Sequence, residues 1–454
     1  MSGWGSWLYV RPCANHRTGS SQPADAQGAP SSEGKKSNFF PVTDAFDNEH
    51  KYGELAPSDL NWTCPSGLST ETSVWYAMLD DGSFFLNQII YSPVGCVPCA
   101  TDFSLFQPQV QMTFRYFHPK TGENVWKSKN VDQFQVLPND KRSCKSSAFT
   151  VTCKDLEDGS QQYDISGMLD TDLQLMYTLT RKPEAKGWKL GQGDKGGFSY
   201  FGENPASPVG HVVHRFWPMA EVSGMIVLNG RAIEAKGLGM FVQAIQGMRP
   251  NLVASKWNFA NFQSREQGGS SAVLMEFTTI PDYGKASEDG TQRVPQTVTI
   301  GSIVCQGQLV AVVGATRAAG AELPSTHAEH QTLTLDPDTG YHVPQSIQYT
   351  LQGPALVGDG APGQDVTAEL RVELGAPGQT QGLIEKVDVL AEIPYMVKKL
   401  VNYVAGTKPY IYQTLNSVGM KLTCPESVAK ALGLPETSVT LQGTLFEEHT
   451  FISA

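Results

Sequence analysis

Few residues in this chain are spaced for chemistry. Cys96-Val97-Pro98-Cys99 is the one Cys-x-x-Cys pair among eight cysteines. Thiolates at that spacing serve a zinc site or a redox centre. A structural zinc needs two more ligands at similar spacing. Cys144 and Cys153 are nine apart and do not supply them. A thioredoxin-type centre opens a helix inside a βαβ unit, whereas this pair lies in a loop-like stretch with two prolines, Ser-Pro-Val-Gly-Cys-Val-Pro-Cys. Cys96 and Cys99 therefore read as reduced loop thiols, with a redox-reactive pair as the alternative.

Metal and acid–base chemistry find little more. His211 and His214 stand three apart in a strand-like segment, so they point to opposite faces. His327-Ala328-Glu329-His330 falls in a loop-like stretch and lacks the i, i+4 helical spacing of a zincin. No Gly-x-Ser-x-Gly elbow occurs. Glu276, inside the apolar run 272–277, is a candidate buried carboxylate. Such acids are more often paired structurally than catalytic. Glu392, two residues before Pro394, suits the N-terminus of a helix, where the dipole favours a carboxylate. Arg215, in His214-Arg215-Phe216-Trp217-Pro218, fits either a pocket mouth or a barrel exterior.

The elements that must carry these residues are strands. Val110, Met112, Phe114 and Tyr116 alternate with Gln111, Thr113 and Arg115. Leu173, Leu175, Tyr177 and Leu179 repeat the pattern, as do Val366, Ala368, Leu370, Val372 and Leu374. One apolar and one polar face predict half-buried antiparallel strands. Asp81-Gly82, Thr121-Gly122, Asp158-Gly159 and Asn229-Gly230 mark turns between them. No phosphate-binding glycine loop follows a strand, so the chain reads as all-β, sandwich or barrel. One helix is expected, opening at Pro394 and ending at Gly406, with Met396, Val397, Leu400, Val401 and Val404 as its apolar stripe.

Residues 1–60 are expected to form a disordered tail, because the stretch 11–38 is rich in Ser, Gly, Pro, Ala and Asn. Trp4, Trp7 and Leu8 within it would make a membrane-touching stub if helical. Two β units follow, 69–235 and 236–454, with the boundary near 231–238. Stretches 287–292, 315–329 and 353–363 read as surface loops. The net charge of −11 disfavours nucleic acid as a partner. No apolar run approaches the ~18 residues of a membrane span. No secretory signal is evident, so a cytosolic location with reduced thiols is expected.

Segment 239–264, GMFVQAIQGMRPNLVASKWNFANFQS, carries almost no charge. It builds an apolar wall from Phe241, Met248, Trp257 and Phe259, to which Phe216 and Trp217 add. With SAVLMEFTTIP, the block 386–413 ending AGTKPYIYQ, and the closing TFIS, this segment resembles the fungal Survival factor 1 family. DDGSFFLNQIIYS, YFGENPASPVGHVVHRFWP and KYGELAPSDLNW resemble landmarks of its first half. The resemblance implies two lipocalin-like (calycin-type) antiparallel barrels in tandem. It implies a carrier of ceramide or a related sphingolipid, moving between endoplasmic reticulum and Golgi, peripheral to their membranes and tied to oxidative-stress survival. It points to the cytoplasm, with the nucleus as a further location. Family members begin with an amphipathic, membrane-touching helix, whereas MSGWGSWLYVRP lacks a clean helical stripe.

A carrier fits the chemistry that is missing. Each buried CH₂ of a lipid chain contributes about 0.8 kcal/mol. The protein then needs an apolar cavity with a few polar groups, for which Glu276 and Arg215 are the candidates, and no cofactor or metal. The first alternative is a calycin-type hydratase, isomerase or cyclase with Glu276 as its acid. The second is a thiol-based stress protein using Cys96 and Cys99.

Overall fold

The computed structural model describes residues 34–66, 69–92, 109–248, 250–358, 364–389 and 407–453. The expected helix from Pro394, Glu392, Cys96, Cys99 and the stub at Trp4, Trp7 and Leu8 lie outside the described residues.

Two large curled antiparallel sheets and one small two-stranded ribbon make up the described residues. The first contains β1 (Thr70–Leu79), β2 (Phe84–Ser92), β3 (Gln109–His118), β4 (Glu123–Val131), β5 (Phe149–Asp155), β6 (Gln161–Asp170), β7 (Leu173–Arg181), β8 (Gly210–Leu228) and β9 (Gly237–Gln246). Their order is β4-β3-β2-β1-β9-β8-β7-β6-β5, with short strands at the edges. The second contains β10 (Lys256–Ser264), β11 (Ser270–Thr278), β12 (Gln296–Cys305), β13 (Gln308–Ala318), β14 (His327–Leu335), β15 (His342–Pro354), β16 (Asp365–Glu373), β17 (Leu383–Asp388), β18 (Thr407–Thr423) and β19 (Ser438–Ser453). Its order is β13-β12-β11-β10-β19-β18-β16-β15-β14, with β17 on β18.

The hairpins follow the turn chemistry. Asn229 and Gly230 both have positive φ, 52° and 76°, as a two-residue type I′ turn demands. They turn β8 onto Arg231–Glu234. The nineteen-residue β8 tolerates Pro218 because its register against β9 shifts between Trp217 and Ala220.

Burial separates two kinds of strand. β7 and β16 alternate buried and more exposed residues, as their sequences dictate. β1, β9, β11 and β12 are buried at every position. Their inward residues fill the two barrels. Their outward residues meet in a third core, a seam where the barrels press back to back. The sheets share no strand pair.

Two boundaries differ from expectation. β9 pairs with β1 and β8, so the chain leaves the first sheet between Gln246 and Lys256 rather than near 231–238. The reason is that β9 is buried on both faces and needs strand neighbours on both edges. Residues 35–60 are also ordered rather than part of a loose tail. Phe39, Val42 and Leu60 are buried, and Phe39 pairs with Phe201 while its ring meets Phe277 of the second unit at 6.1 Å. Asn38 Nδ2 donates to the Asp282 carbonyl, and Lys51 Nζ to the Gly314 carbonyl. This segment straps the two barrels together. The loop expected at 315–329 is shorter, since β13 runs to Ala318 and β14 begins at His327.

Phe39→Ala removes ring contacts to both units. It is expected to cost about 3–5 kcal/mol, read as a lowered urea midpoint.

Candidate functional site

The six aromatic and methionine candidates do not form one wall. Alternation along each strand divides them between two cores. Phe216, Met248, Trp257 and Phe259 lie in the seam. Trp217 and Phe241 point into the first barrel. There Tyr163 lies 4.7 Å from Trp217 and 4.8 Å from Phe241, and Trp75 lies 5.4 Å from Phe241, centroid to centroid. This aromatic plug fills the first barrel.

The seam is built from facing rings. Phe84 of β2 stacks on Phe446 of β19 at 4.5 Å, and Tyr76 of β1 meets Phe259 of β10 at 5.3 Å. Phe216 stacks on Trp188 at 4.5 Å. On the same faces sit polar groups that the sequence reading did not single out. Arg115 of β3, fully buried, pairs with Glu385 of β17 and donates through Nη1 to Asn124 Oδ1 at 3.0 Å. Gln413 of β18 is the cross-strand neighbour of both Glu385 and Glu448. Its Nε2 donates to Glu448 Oε1 at 2.6 Å.

Five of the seam's buried side-chain atoms without a hydrogen-bond partner lie on β2, β3, β18 and β19. They are Gln88 Oε1, Arg115 Nε, Gln413 Oε1, Glu448 Oε2 and Thr450 Oγ1. Burial pushes the Glu448 carboxyl up to about 7, against the bond from Gln413, with the Glu447 charge adding and the Arg115 charge opposing. Burial likewise pulls Arg115 down, and Glu385 partly restores it.

Glu276 stands elsewhere. It shares the inward face of β11 with Ala272 and Leu274 of the second barrel's core. Its Oε1 accepts from Asn258 Nδ2 at 3.1 Å and Arg317 Nη2 at 3.4 Å. Its Oε2 accepts from Thr299 Oγ1 at 2.7 Å, the Ala328 amide at 3.1 Å and Arg317 Nη1 at 3.3 Å. A carboxylate holding five donors is occupied in structure. Nearby, His330 Nε2 bonds Asn258 Oδ1 at 2.7 Å, and Glu447 accepts from Thr414 Oγ1 at 2.8 Å and the Tyr349 hydroxyl at 3.3 Å. His330 belongs to strand β14 rather than to a loop.

Arg215 does not lie on a barrel exterior. It is buried, and its Nη1 donates to Gln243 Oε1, whose Nε2 donates to Glu71 Oε1 at 2.9 Å. Glu71 also accepts from Thr63 and Cys64. This chain of bonds ties β8, β9 and β1 together. His211 and His214 are separate, and no group of three or more metal-ligating side chains exists among the described residues.

The thiols that are described are unreactive in character. Burial pushes Cys64 and Cys153 up to about 12, and raises Cys144, Cys305 and Cys424 as well.

A family model, the Svf1 family, matches residues 17–453. The chain belongs to the Svf1 family. It is 31% identical over 415 residues to the ceramide-binding protein svf1 of Schizosaccharomyces pombe, covering 91% of this chain and 93% of that one. It is 34% identical over 429 residues to the ceramide-binding protein SVF1 of Yarrowia lipolytica, covering 91% and 94%. Among solved structures, kievitone hydratase from Nectria haematococca is similar over 92% of this chain and 97% of its own, at a TM-score of 0.42 and 11% identity. The Svf1 match spans both sheets and the seam between them.

Glu276→Ala leaves Arg317, only 14% exposed, without its counter-charge. A loss of about 3–5 kcal/mol is expected in urea unfolding. His214 gives a pH prediction. Burial lowers it from 6.5 to about 4, and its Nε2 is unpartnered. The unfolded chain therefore takes up a proton that the native state refuses. The stability due to neutral His214 is present above pH 6.5 and falls as pH drops toward 4, by up to about 1.4 kcal/mol per unit. His214→Phe is expected to flatten that slope by one proton in urea titrations run between pH 7 and 4.5.

Proposed function

We propose that this protein is a non-enzymatic binder of ceramide or a related sphingolipid, held in the seam between its barrels. One observation carries the reading. The seam joins a continuous apolar core to buried polar atoms that have no partner, five of them on β2, β3, β18 and β19. An apolar wall with a few convergent polar groups is what a lipid with a small polar head requires. A ceramide head carries an amide and two hydroxyls, both donors and acceptors. The names of the Svf1 relatives support the same ligand.

Access favours the seam over the barrel interiors. The sheets share no strand pair, so parting them breaks apolar contacts, side-chain bonds and loop bonds but no ladder. Acyl chains replace the lost apolar contact at about 0.8 kcal/mol per CH₂. The first barrel, by contrast, is filled by its own rings.

The wider role in this proposal is a carrier between endoplasmic reticulum and Golgi. It acts from the cytoplasm, touches membranes peripherally and supports survival under oxidative stress. No helix among the described residues is long and apolar enough to cross a membrane. The rival enzyme reading needs a free acid in an apolar pocket. Glu276, its one nominee, is bound by five donors.

Lipids co-purifying with the full chain from a eukaryotic host are expected to include a sphingolipid at near one per protein by mass spectrometry. A chain that emerges empty while a known carrier stays loaded would overturn the reading. Location is tested with a ceramide brominated on its acyl chain. Quenching of fluorescence that is largely lost in Trp257→Phe places the chain in the seam. Quenching that survives there but is lost in Trp217→Phe places it in the first barrel.

A further inference from the structure

The polar end of the seam is richer in acceptors than an N-acylated head needs. Three of its five unpartnered atoms are acceptors: Gln88 Oε1, Gln413 Oε1 and Glu448 Oε2. Arg115 Nε is a donor only, and Thr450 Oγ1 can act either way. The charges are also unbalanced. The Arg115 guanidinium is matched by Glu385. Glu448, 1% exposed, makes no ion pair among the described residues, and the Arg115 charge, already held by Glu385, only partly offsets its burial. A desolvated carboxylate of this kind is costly unless a counter-charge arrives.

Resting on the reading of the seam as a lipid site, we propose that it also takes the un-acylated long-chain amino alcohol, with Glu448 pairing the ligand's ammonium. The head of such a molecule carries an ammonium with three donors and two hydroxyls. The ammonium meets Glu448 Oε2 and Gln413 Oε1, which sit side by side on β19 and β18. The hydroxyls have Gln88 on β2 and Thr450 two residues from Glu448 on the same face. The single alkyl chain lies along Tyr76, Phe259 and Phe446. Anionic lipid heads are disfavoured by the same carboxylate.

Protonation of Glu448 sets the pH response. The groups facing it are Arg115 of β3, Tyr76 of β1 and, through Gln413, Glu385 of β17, with Glu447 adjacent on β19. Its carboxyl titrates near 7. An aliphatic ammonium stays charged from pH 8 to 6. Amine binding therefore weakens as pH falls across this window, while N-acyl binding does not.

The test uses the full chain and two probes, a long-chain 2-amino-1,3-diol and its N-acyl derivative, each presented in neutral phosphatidylcholine vesicles. Dissociation constants are measured for wild type and Glu448→Gln, with thermal unfolding of both as a folding control. The expected result is binding of both lipids by wild type. Glu448→Gln should weaken the amine by about tenfold more than it weakens the N-acyl lipid. Wild type should lose amine affinity from pH 8 to 6. If wild type binds the N-acyl lipid and not the amine, the inference falls and the ceramide reading stands. If Glu448→Gln weakens both equally, Glu448 is not an ammonium partner and the inference falls. If neither lipid binds, both readings fall. Should the variant melt early, the pH arm on wild type decides alone: equal response of the two lipids overturns the proposal.

Discussion

The structure depends on a single constraint: two sheets must bury their outer faces against each other without sharing a strand. An antiparallel barrel normally hides one face and wets the other. Here β1, β9, β11 and β12 are dry on both sides. Their outward side chains are as apolar as their inward ones, and each unit is incomplete without the other. Segment 35–60 reinforces the pairing, since Asn38, Phe39 and Lys51 each reach the second unit. In the proposed reading the lipid enters at the same place, because a boundary held by side chains can part where a hydrogen-bonded ladder cannot.

The sequence made the outer strands plain and blurred the inner ones. Leu173–Arg181 and Asp365–Glu373 alternate because one face meets water, and alternation is a signal that reading by eye detects. Trp257 and Phe262 look like parts of one wall, yet they face different cores, the seam and the second barrel. Apolar residues on both sides erase the period-two mark that would have separated them. For the same reason the boundary was sought before β9 rather than after it. The ordering of residues 35–60 was hidden by composition. Phe39 and Val42 are few among polar neighbours, and only their tertiary partners make them count.

The two buried acids teach a related lesson. Glu276 stood out because its neighbours in sequence are apolar, and it proved to be saturated by donors from β10, β12, β13 and β14. Glu448 carries no such mark, since in Phe446-Glu447-Glu448-His449 its neighbours in sequence are largely polar. Glu447 and Glu448 are on opposite faces of a strand, one in the second barrel and one in the seam. A sequence shows that a charge is present but not how many donors surround it. Satisfaction separates a structural carboxylate from one that awaits a ligand, and it is a property of the folded neighbourhood.

The position of β19 has a consequence for biosynthesis. It lies at the centre of the second sheet, between β10 and β18, though it is the last strand in chain order. The first sheet is complete once β9 has been made. The second cannot close until about 200 further residues have emerged, which at about 5–20 residues per second takes some tens of seconds. Throughout that interval the nascent first barrel carries the outer rings of Tyr76 and Phe84 without the Phe259 and Phe446 rings that cover them. A newborn chain of this architecture thus keeps an apolar face open until its last described strand joins the sheet.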